Sequence, residues 1–349
     1  MTQTYPTHFP ELHSLTKLPW FSLQGSRLLL DPAHGPIIDI HTHLSLSYLL
    51  RPTVNQDRRT ETVRTYLPER GRAIRLNPYC NRNFTAVDLR RMKLDLLAGS
   101  FLPGIGPRQT HTAANLVGGM KDLCIRQAAI HAIDMPFISR NSEIYLEQAR
   151  RYPQLIPFGS AHPSTPLASL RVGRLAKNGI KGIKVHPAMQ GVYPDSRKLR
   201  PIYRACRALD LPVLWHCGPV GIEPAKSREF SQVHYYESPL ADFPEVTFFL
   251  GHSGALQYRE AIKIANRYPN AILDLSCQGL PATREILEEA DHDRIVFGSD
   301  WPFYNQAIGI AKVLIATDGD NDLRRKILHD NAARILKQNS PTKRKETKP

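Results

Sequence analysis

From residue 126 onward, short runs of Ile, Val, Leu and Phe recur at roughly 30-residue intervals. They are Gln127–Ile133, Leu155–Ser160, Gly179–Val185, Pro212–His216, Val246–His252, Ala271–Cys277 and Arg294–Ser299, and Ile37–His43 far upstream makes an eighth. Short, β-branched and bounded by Gly or Pro, they predict strands. The stretches between them carry helical spacing: Ser142–Arg151, Leu167–Lys177, Ser196–Ala208, Leu256–Arg267 and Pro281–Glu289. Strands alternating with helices pair in parallel through right-handed crossovers. Eight such units predict an α/β fold, a closed (β/α)8 TIM barrel. An open doubly wound sheet would carry a glycine-rich first turn, and neither GxGxxG nor GxxxxGK[ST] occurs.

The first unit departs from this rhythm. About 80 residues separate the first strand from the second, too many for a structureless loop inside a compact domain. Thr112–Ile125 reads as the regular helix before strand two. Ala86–Leu97, apolar at Val87, Leu89, Met92 and Leu96, reads as another. Residues 44–111 are therefore expected to form a helical insertion, a lid at the C-terminal mouth where barrel active sites lie. A last helix is predicted over Asp322–Leu336. Residues 1–349 are thus read as a single barrel domain, with 337–349 as a disordered basic tail.

A strand alternates its side chains between two faces, so Asp39, His41 and His43 are expected to point one way. Two imidazoles on one face at a strand terminus are half of a metal site. Later strands end on further polar groups. Strand four offers Lys184 and His186, strand five His216, strand six His252 and strand eight Asp300. Such residues are hard to bury at the ends of apolar strands without compensation, and a shared metal compensates them together. Imidazoles with a carboxylate suit zinc with an open position for water, and also manganese, iron or cobalt. The expected cofactor is one divalent ion, zinc first, with a second ion open. Lone histidines such as His131 and His162 are more often satisfied structural groups. Lys184 could bind substrate, bridge two metals once carboxylated, or pair with an acid.

The chain has 349 residues, 42% of them hydrophobic, enough for a sizeable core. No stretch approaches the roughly 20 apolar residues of a membrane span, and the N-terminus lacks a signal-peptide core. Five cysteines, without CxxC spacing, suggest neither a disulfide framework nor a Cys-type zinc site. These features predict a soluble, cytoplasmic protein. The net charge of +14 is concentrated. Residues 44–115 carry eleven Arg and one Lys against five acids, and the tail after Leu336 adds a net +4. Arg51, Arg58, Arg59, Arg64, Arg70, Arg72, Arg75 and Arg82 crowd the insertion near the expected mouth. Either one or two of them clamp an anionic substrate, or they form a solvated face. Tyr66, Tyr79 and Phe84 are read as core packing or apolar lining.

The motifs D-I-H-T-H at 39–43, G-I-K-V-H-P at 182–187, W-H-C-G at 215–218, G-H-S-G at 251–254 and G-S-D-W-P at 298–302 occur in this order. With the closing segment 326–335, they resemble the amidohydrolase superfamily, in the family 2 branch that includes aminocarboxymuconate-semialdehyde and resorcylate decarboxylases. The resemblance spans strand one and about 112–336, and leaves 44–111 uncovered. It implies His41, His43, His216 and Asp300 as metal ligands. Asp300 and His252 become the catalytic residues that move protons and orient the nucleophile, and Lys184 and His186 remain for a second metal or the substrate.

Three functions follow. The first is a metal-dependent hydrolase using activated water on a small, anionic substrate. The second is a non-oxidative decarboxylase, a carbon–carbon lyase. The third is a non-catalytic nucleic-acid-binding or scaffold barrel, disfavoured because the charge sits in one insertion and a tail and no nucleic-acid motif accompanies it. No membrane partner is expected, and self-association is left open.

Overall fold

The structure, a computed structural model, describes residues 4–49, 51–99, 101–102, 104 and 106–338. Eight parallel strands form one sheet in chain order: β1 (Ile37–Thr42), β2 (Ile125–His131), β3 (Leu155–Ser160), β4 (Gly182–Val185), β5 (Val213–His216), β6 (Phe248–Gly251), β7 (Ala271–Asp274) and β8 (Ile295–Val296). The long helices are α1 (Ala86–Gly99), α2 (Ala113–Met120), α3 (Asn141–Arg151), α4 (Ala168–Lys177), α5 (Arg200–Ala208), α6 (Tyr258–Arg267), α7 (Leu280–Glu289) and α8 (Gln306–Ala316). The fold is the α/β TIM barrel that the strand rhythm predicts. α5 begins four residues later than expected, because Pro201 sits at its first turn and proline favours that position. Among the described residues no helix is long and apolar enough to cross a membrane.

The sheet closes where β1 meets the segment after β8. Ile40 N donates to Phe297 O (3.0 Å), Asp300 N to His41 O (2.8 Å) and His43 N to Trp301 O (2.7 Å). The floor of the barrel is a layer of Ile38, Ile40, Ala129, Ile156, Phe158, Leu214, Phe249, Ile272 and Val296, plugged from below by Ala332 and Ile335. Those two belong to the terminal helical segment, which is interrupted. It runs as Asn321–Arg325, a π-turn over Lys326–Asp330, and Asn331–Gln338. The carbonyl of Ile327 accepts from Phe297 N (3.1 Å), tying this turn to the end of β8. The helix includes the first two residues assigned to the tail, and 339–349 lie outside the described residues.

Strict alternation fails in β1. Its register against β2 shifts between Asp39 and Thr42, so one extra residue is accommodated as a bulge. Asp39 therefore does not share the histidines' face. It accepts from Ser299 N (3.0 Å), Ser299 Oγ (2.6 Å), Gln306 Nε2 (2.7 Å) and His41 N (3.2 Å), between the sheet and α8. Ile38 and Ile40 fill the floor, and the bulge returns His41 and His43 to the mouth.

The insertion is less helical than expected. Besides α1 it holds 3-10 turns and the two-residue strand Ile74–Arg75, paired antiparallel to His8–Phe9. Pro52, Pro68, Pro78 and Gly71 interrupt regular structure. Side chains satisfy part of the backbone instead: Gln56 Oε1 accepts from Ala113 N (3.2 Å), Thr110 Oγ1 from Arg64 N (3.0 Å) and Asn83 Oδ1 from Arg75 N (2.9 Å). The buried Arg108 donates to Thr53 Oγ1 (2.9 Å) and to the carbonyl of Leu46. By contrast, Arg51, Arg58, Arg59, Arg64, Arg70, Arg75 and Arg82 are exposed, and Arg72 pairs with Asp88 at 3.0 Å. Of the two alternatives, the exposure of seven of these eight arginines fits the solvated face.

Phe158 on β3 pairs in register with Gly182 on β4, and its ring occupies the space that a side chain at Gly182 would need. Phe158→Ala should cost about 3–5 kcal/mol, and Gly182→Ala should also destabilise by overpacking. Urea unfolding of the double variant is expected to show less than the sum of the two losses. Simple additivity would contradict this packing.

Candidate metal centre

Each barrel strand delivers its polar groups by ending at the mouth, and their spacing depends on what lies beside them. Gly251 and Gly298 face the barrel interior. A β-carbon on Gly251 would meet Trp215 O and the His41 ring, and one on Gly298 would meet Asp274 and the β-carbon of His41. These two glycines make room for a buried pair: His41 Nδ1 lies 2.6 Å from Asp274 Oδ2.

Asp274 is the residue of this cluster that sequence reasoning missed. Its signal was present, an aspartate closing the apolar run Ala-Ile-Leu-Asp of strand seven. It is wholly buried and also accepts from Ser276 N (2.9 Å), Ser276 Oγ (2.8 Å) and His252 N (3.3 Å). By accepting the Nδ1 proton it leaves His41 Nε2 with a lone pair. His43 is set the same way, its Nδ1 lying 2.9 Å from the carbonyl of His131. His131 itself bonds through Nε2 to Ile40 O at 2.7 Å, while its buried Nδ1 has no hydrogen-bond partner among the described residues.

The groups converge. His43 Nε2 lies 3.6 Å and His41 Nε2 3.9 Å from Asp300 Oδ1. His252 Nε2 lies 3.2 Å from His216 Nδ1, and Ser276 Oγ 2.8 Å from His252 Nδ1. His41, His252 and Asp300 present ligand atoms all within 4.8 Å of one another. His252, assigned to proton transfer from the motifs, thus stands inside the tightest group, with His43 beside Asp300 and His216 beside His252. His186 stacks on His216 with ring centroids 4.1 Å apart. Lys184 is buried in the barrel with Nζ 3.1 Å from His41 Nε2. His162, at the end of β3, accepts a bond from Ser164 N at 3.2 Å and joins none of these contacts.

Several of these groups hold strained backbone. His252, Cys277 and Asp300 have φ of 59°, 63° and 63°, rare for residues with a β-carbon and typical of functional sites. For Asp300 this turn follows the closing bond from its N–H to His41 O. It leaves the carboxylate facing the imidazoles, with the Cys277 thiol donating to Oδ2 at 3.3 Å.

Burial governs the electrostatics. It holds His43 and His216 at about 3 and His41, His252 and His186 well below the usual imidazole range, with Lys184 among the opposing charges. All five are neutral near pH 7, the form that binds metal. Burial lowers Lys184 to about 7 and raises Asp300 to about 8, and it raises Asp274 to about 6. Burial thus disfavours the charged form of Asp300, and a cation bound beside it would restore the carboxylate. Imidazole nitrogens with free lone pairs, a carboxylate and a carboxylate-oriented second shell suit a divalent transition metal.

Residues 38–338 match the sequence model of a family described as amidohydrolase. No curated protein sequence matches the chain. Among solved structures, an uncharacterised TIM-barrel protein from Bordetella bronchiseptica is similar over 87% of this chain and 99% of its own, with 20% identity and a TM-score of 0.60. The 5-carboxyvanillate decarboxylase of Sphingomonas paucimobilis is similar over 70% of this chain and 90% of its own, with 15% identity and a TM-score of 0.57. The 5-carboxyvanillate decarboxylase of Novosphingobium aromaticivorans, complexed with manganese and 4-hydroxy-3-methoxy-5-nitrobenzoic acid, is similar over 90% of this chain and 100% of its own. Its identity is 18% and its TM-score 0.56. At these identities the likeness is one of fold.

Asp274→Asn keeps the shape of the side chain and removes its charge from His41. Affinity for added manganese or zinc, read by chelator competition, is expected to fall roughly 10–100-fold. An unchanged affinity would remove Asp274 from any role in orienting a ligand.

Proposed function

The chain belongs to the amidohydrolase family, and on that premise we propose that it is a metal-dependent, non-oxidative decarboxylase acting on a small carboxylated substrate. The observation that carries this reading is burial: His41, His43, His216, His252 and Asp300 are all shielded from bulk solvent at the mouth. Loss of carbon dioxide gains from stripping water off the carboxylate, whereas hydrolysis needs a water delivered beside the scissile bond. The fold shared with decarboxylase structures supports the same choice. Hydrolysis remains the second reading, favoured by the closeness of Asp300 Oδ1 to His43 Nε2 at 3.6 Å, where a carboxylate could accept a proton from water.

His41, His43, His216 and Asp300 are proposed as ligands, with His252 close enough to join or to touch the substrate. Bound there, a divalent ion supplies positive charge that holds the substrate's anionic oxygens and offsets the charge developing in the transition state. Zinc and manganese both suit the donors, and manganese occupies the Novosphingobium enzyme.

The protein's own part is positioning and proton transfer. The bond between the substrate carbon and its carboxyl group breaks, and the electron pair stays on carbon. Carbon dioxide leaves, and a proton replaces it. Asp300 and His252 are proposed to deliver that proton. The Cys277 thiol holds one oxygen of Asp300, and Ser276 Oγ holds Nδ1 of His252. Lys184 and His186 flank His41 and His216 and complete the wall toward β4. The insertion, read as a lid, would exclude water from above.

The test is a metal analysis of protein purified without chelators, followed by a screen of aromatic and unsaturated carboxylic acids for release of carbon dioxide. Release of one equivalent per product is expected, and His252→Asn should lower kcat by about 10²–10⁴-fold. A protein that holds no metal would sink the mechanism. Turnover of lactones or amides without carbon dioxide would move the reading to hydrolysis.

A further inference from the structure

Among the described residues, several buried polar atoms of the insertion lack a hydrogen-bond partner, and one of them, the Tyr79 hydroxyl, belongs to a segment laid across the strand ends. Residues 76–81 lie along the loop after β7, where Leu280 N donates to Leu76 O (2.8 Å) and Cys80 N to Cys277 O (2.9 Å). They then reach the loop after β5, where Asn81 Nδ2 donates to Val220 O at 2.8 Å. Tyr304 OH, on the loop after β8, bonds Asn81 Oδ1. This segment is a strap fastened to three strand ends.

Tyr79 sits in the middle of the strap. Its side chain is 8% exposed, and its hydroxyl finds no hydrogen-bond partner among the described residues. The neighbouring Tyr304 hydroxyl is bonded, and so is the Cys277 thiol. Buried hydroxyls in native proteins are almost always satisfied, and an exception asks for an explanation. The charges that act on Tyr79 most strongly come from Cys277, Asp300, Cys80 and Glu223, and with burial they hold the phenol well above its usual range. It therefore stays protonated and can only gain by donating. A second carboxylate brought to the same place would meet the side chain of Glu223, which Arg228 pairs at 3.6 Å.

We propose that Tyr79 is a substrate-binding residue whose hydroxyl donates to a neutral oxygen of the substrate, a hydroxyl, carbonyl or ether, at the end remote from the carboxylate that is lost. This rests on the decarboxylase reading of the mouth. It narrows the substrate to a monocarboxylic acid carrying a second, uncharged oxygen, and disfavours dicarboxylates.

The test compares manganese-loaded wild type and Tyr79→Phe by calorimetry against benzoate, 2-, 3- and 4-hydroxybenzoate and isophthalate. The wild type should bind at least one hydroxybenzoate about 5–10-fold more tightly than benzoate, and isophthalate no better than benzoate. Tyr79→Phe should erase that preference and leave benzoate unchanged. A preference that survives in the variant, or an equal loss for benzoate, overturns the proposal. The melting temperature of the metal-free variant gives an independent arm. A hydroxyl kept for a ligand can be removed with Tm unchanged or raised, whereas a fall of several degrees shows a structural bond and overturns the assignment. If no acid binds the wild type, the decarboxylase reading fails, and the melting arm alone decides whether the hydroxyl is held for a ligand.

Discussion

A parallel barrel has to join its last strand to its first, and here that seam depends on one buried carboxylate. Asp39 gathers two donors from Ser299, one from Gln306 and one from the backbone of His41. Burial raises its pKa to about 7 against the pull of those same bonds. Four hydrogen bonds offset the desolvation that a lone carboxylate would suffer. They also fix register. With Ser299 held against Asp39, Asp300 N falls on His41 O and His43 N on Trp301 O. The carboxylate of β8 and the two imidazoles of β1 then share one small volume because the barrel is shut there.

The same closeness creates an electrostatic problem. Neutral imidazoles, two buried aspartates and a buried lysine have been brought together away from bulk solvent. Asp274 on His41 and the carbonyl of His131 on His43 settle the tautomers, so the ring nitrogens left over face Asp300. Gly251 and Gly298 supply the space, since a methyl group at either position would press on His41. The left-handed backbone at His252, Cys277 and Asp300 is the conformational cost of aiming three successive strand ends at one point.

Local pattern in the sequence showed the strands, their order, the His41–His43 pair and the strand-end residues His216, His252 and Asp300. What it hid were facts of long range. The bulge in β1 depends on β2 and on the seam, so alternation wrongly grouped Asp39 with the histidines. Asp274 looked like one polar residue in an apolar strand until closure of the barrel brought the His41 side chain against it. The eight arginines drew attention by number, while the arginine that organises the insertion, Arg108, was one of the less conspicuous. Tyr79 was read as packing or lining, because nothing local distinguishes a satisfied tyrosine from an unsatisfied one.

The insertion and the donor cluster use different kinds of order. The cluster stands on strands, where backbone ladders hold side chains to fractions of an ångström. The strap over it has almost no ladder. It is fixed by single bonds to the loops after β5, β7 and β8, and by side chains such as Asn81 that stand in for a sheet. One of those bonds ties Cys80 to Cys277, and the Cys277 thiol in turn holds Asp300. The strap and the carboxylate at the reacting centre are therefore mechanically joined through a single residue of the β7 loop. On the proposed reading, substrate contacts in such a roof would change with the loop sequence while the seam keeps the proposed metal donors in place. On that reading the closure of the barrel would set the chemistry, and what is laid across it would set the choice of substrate.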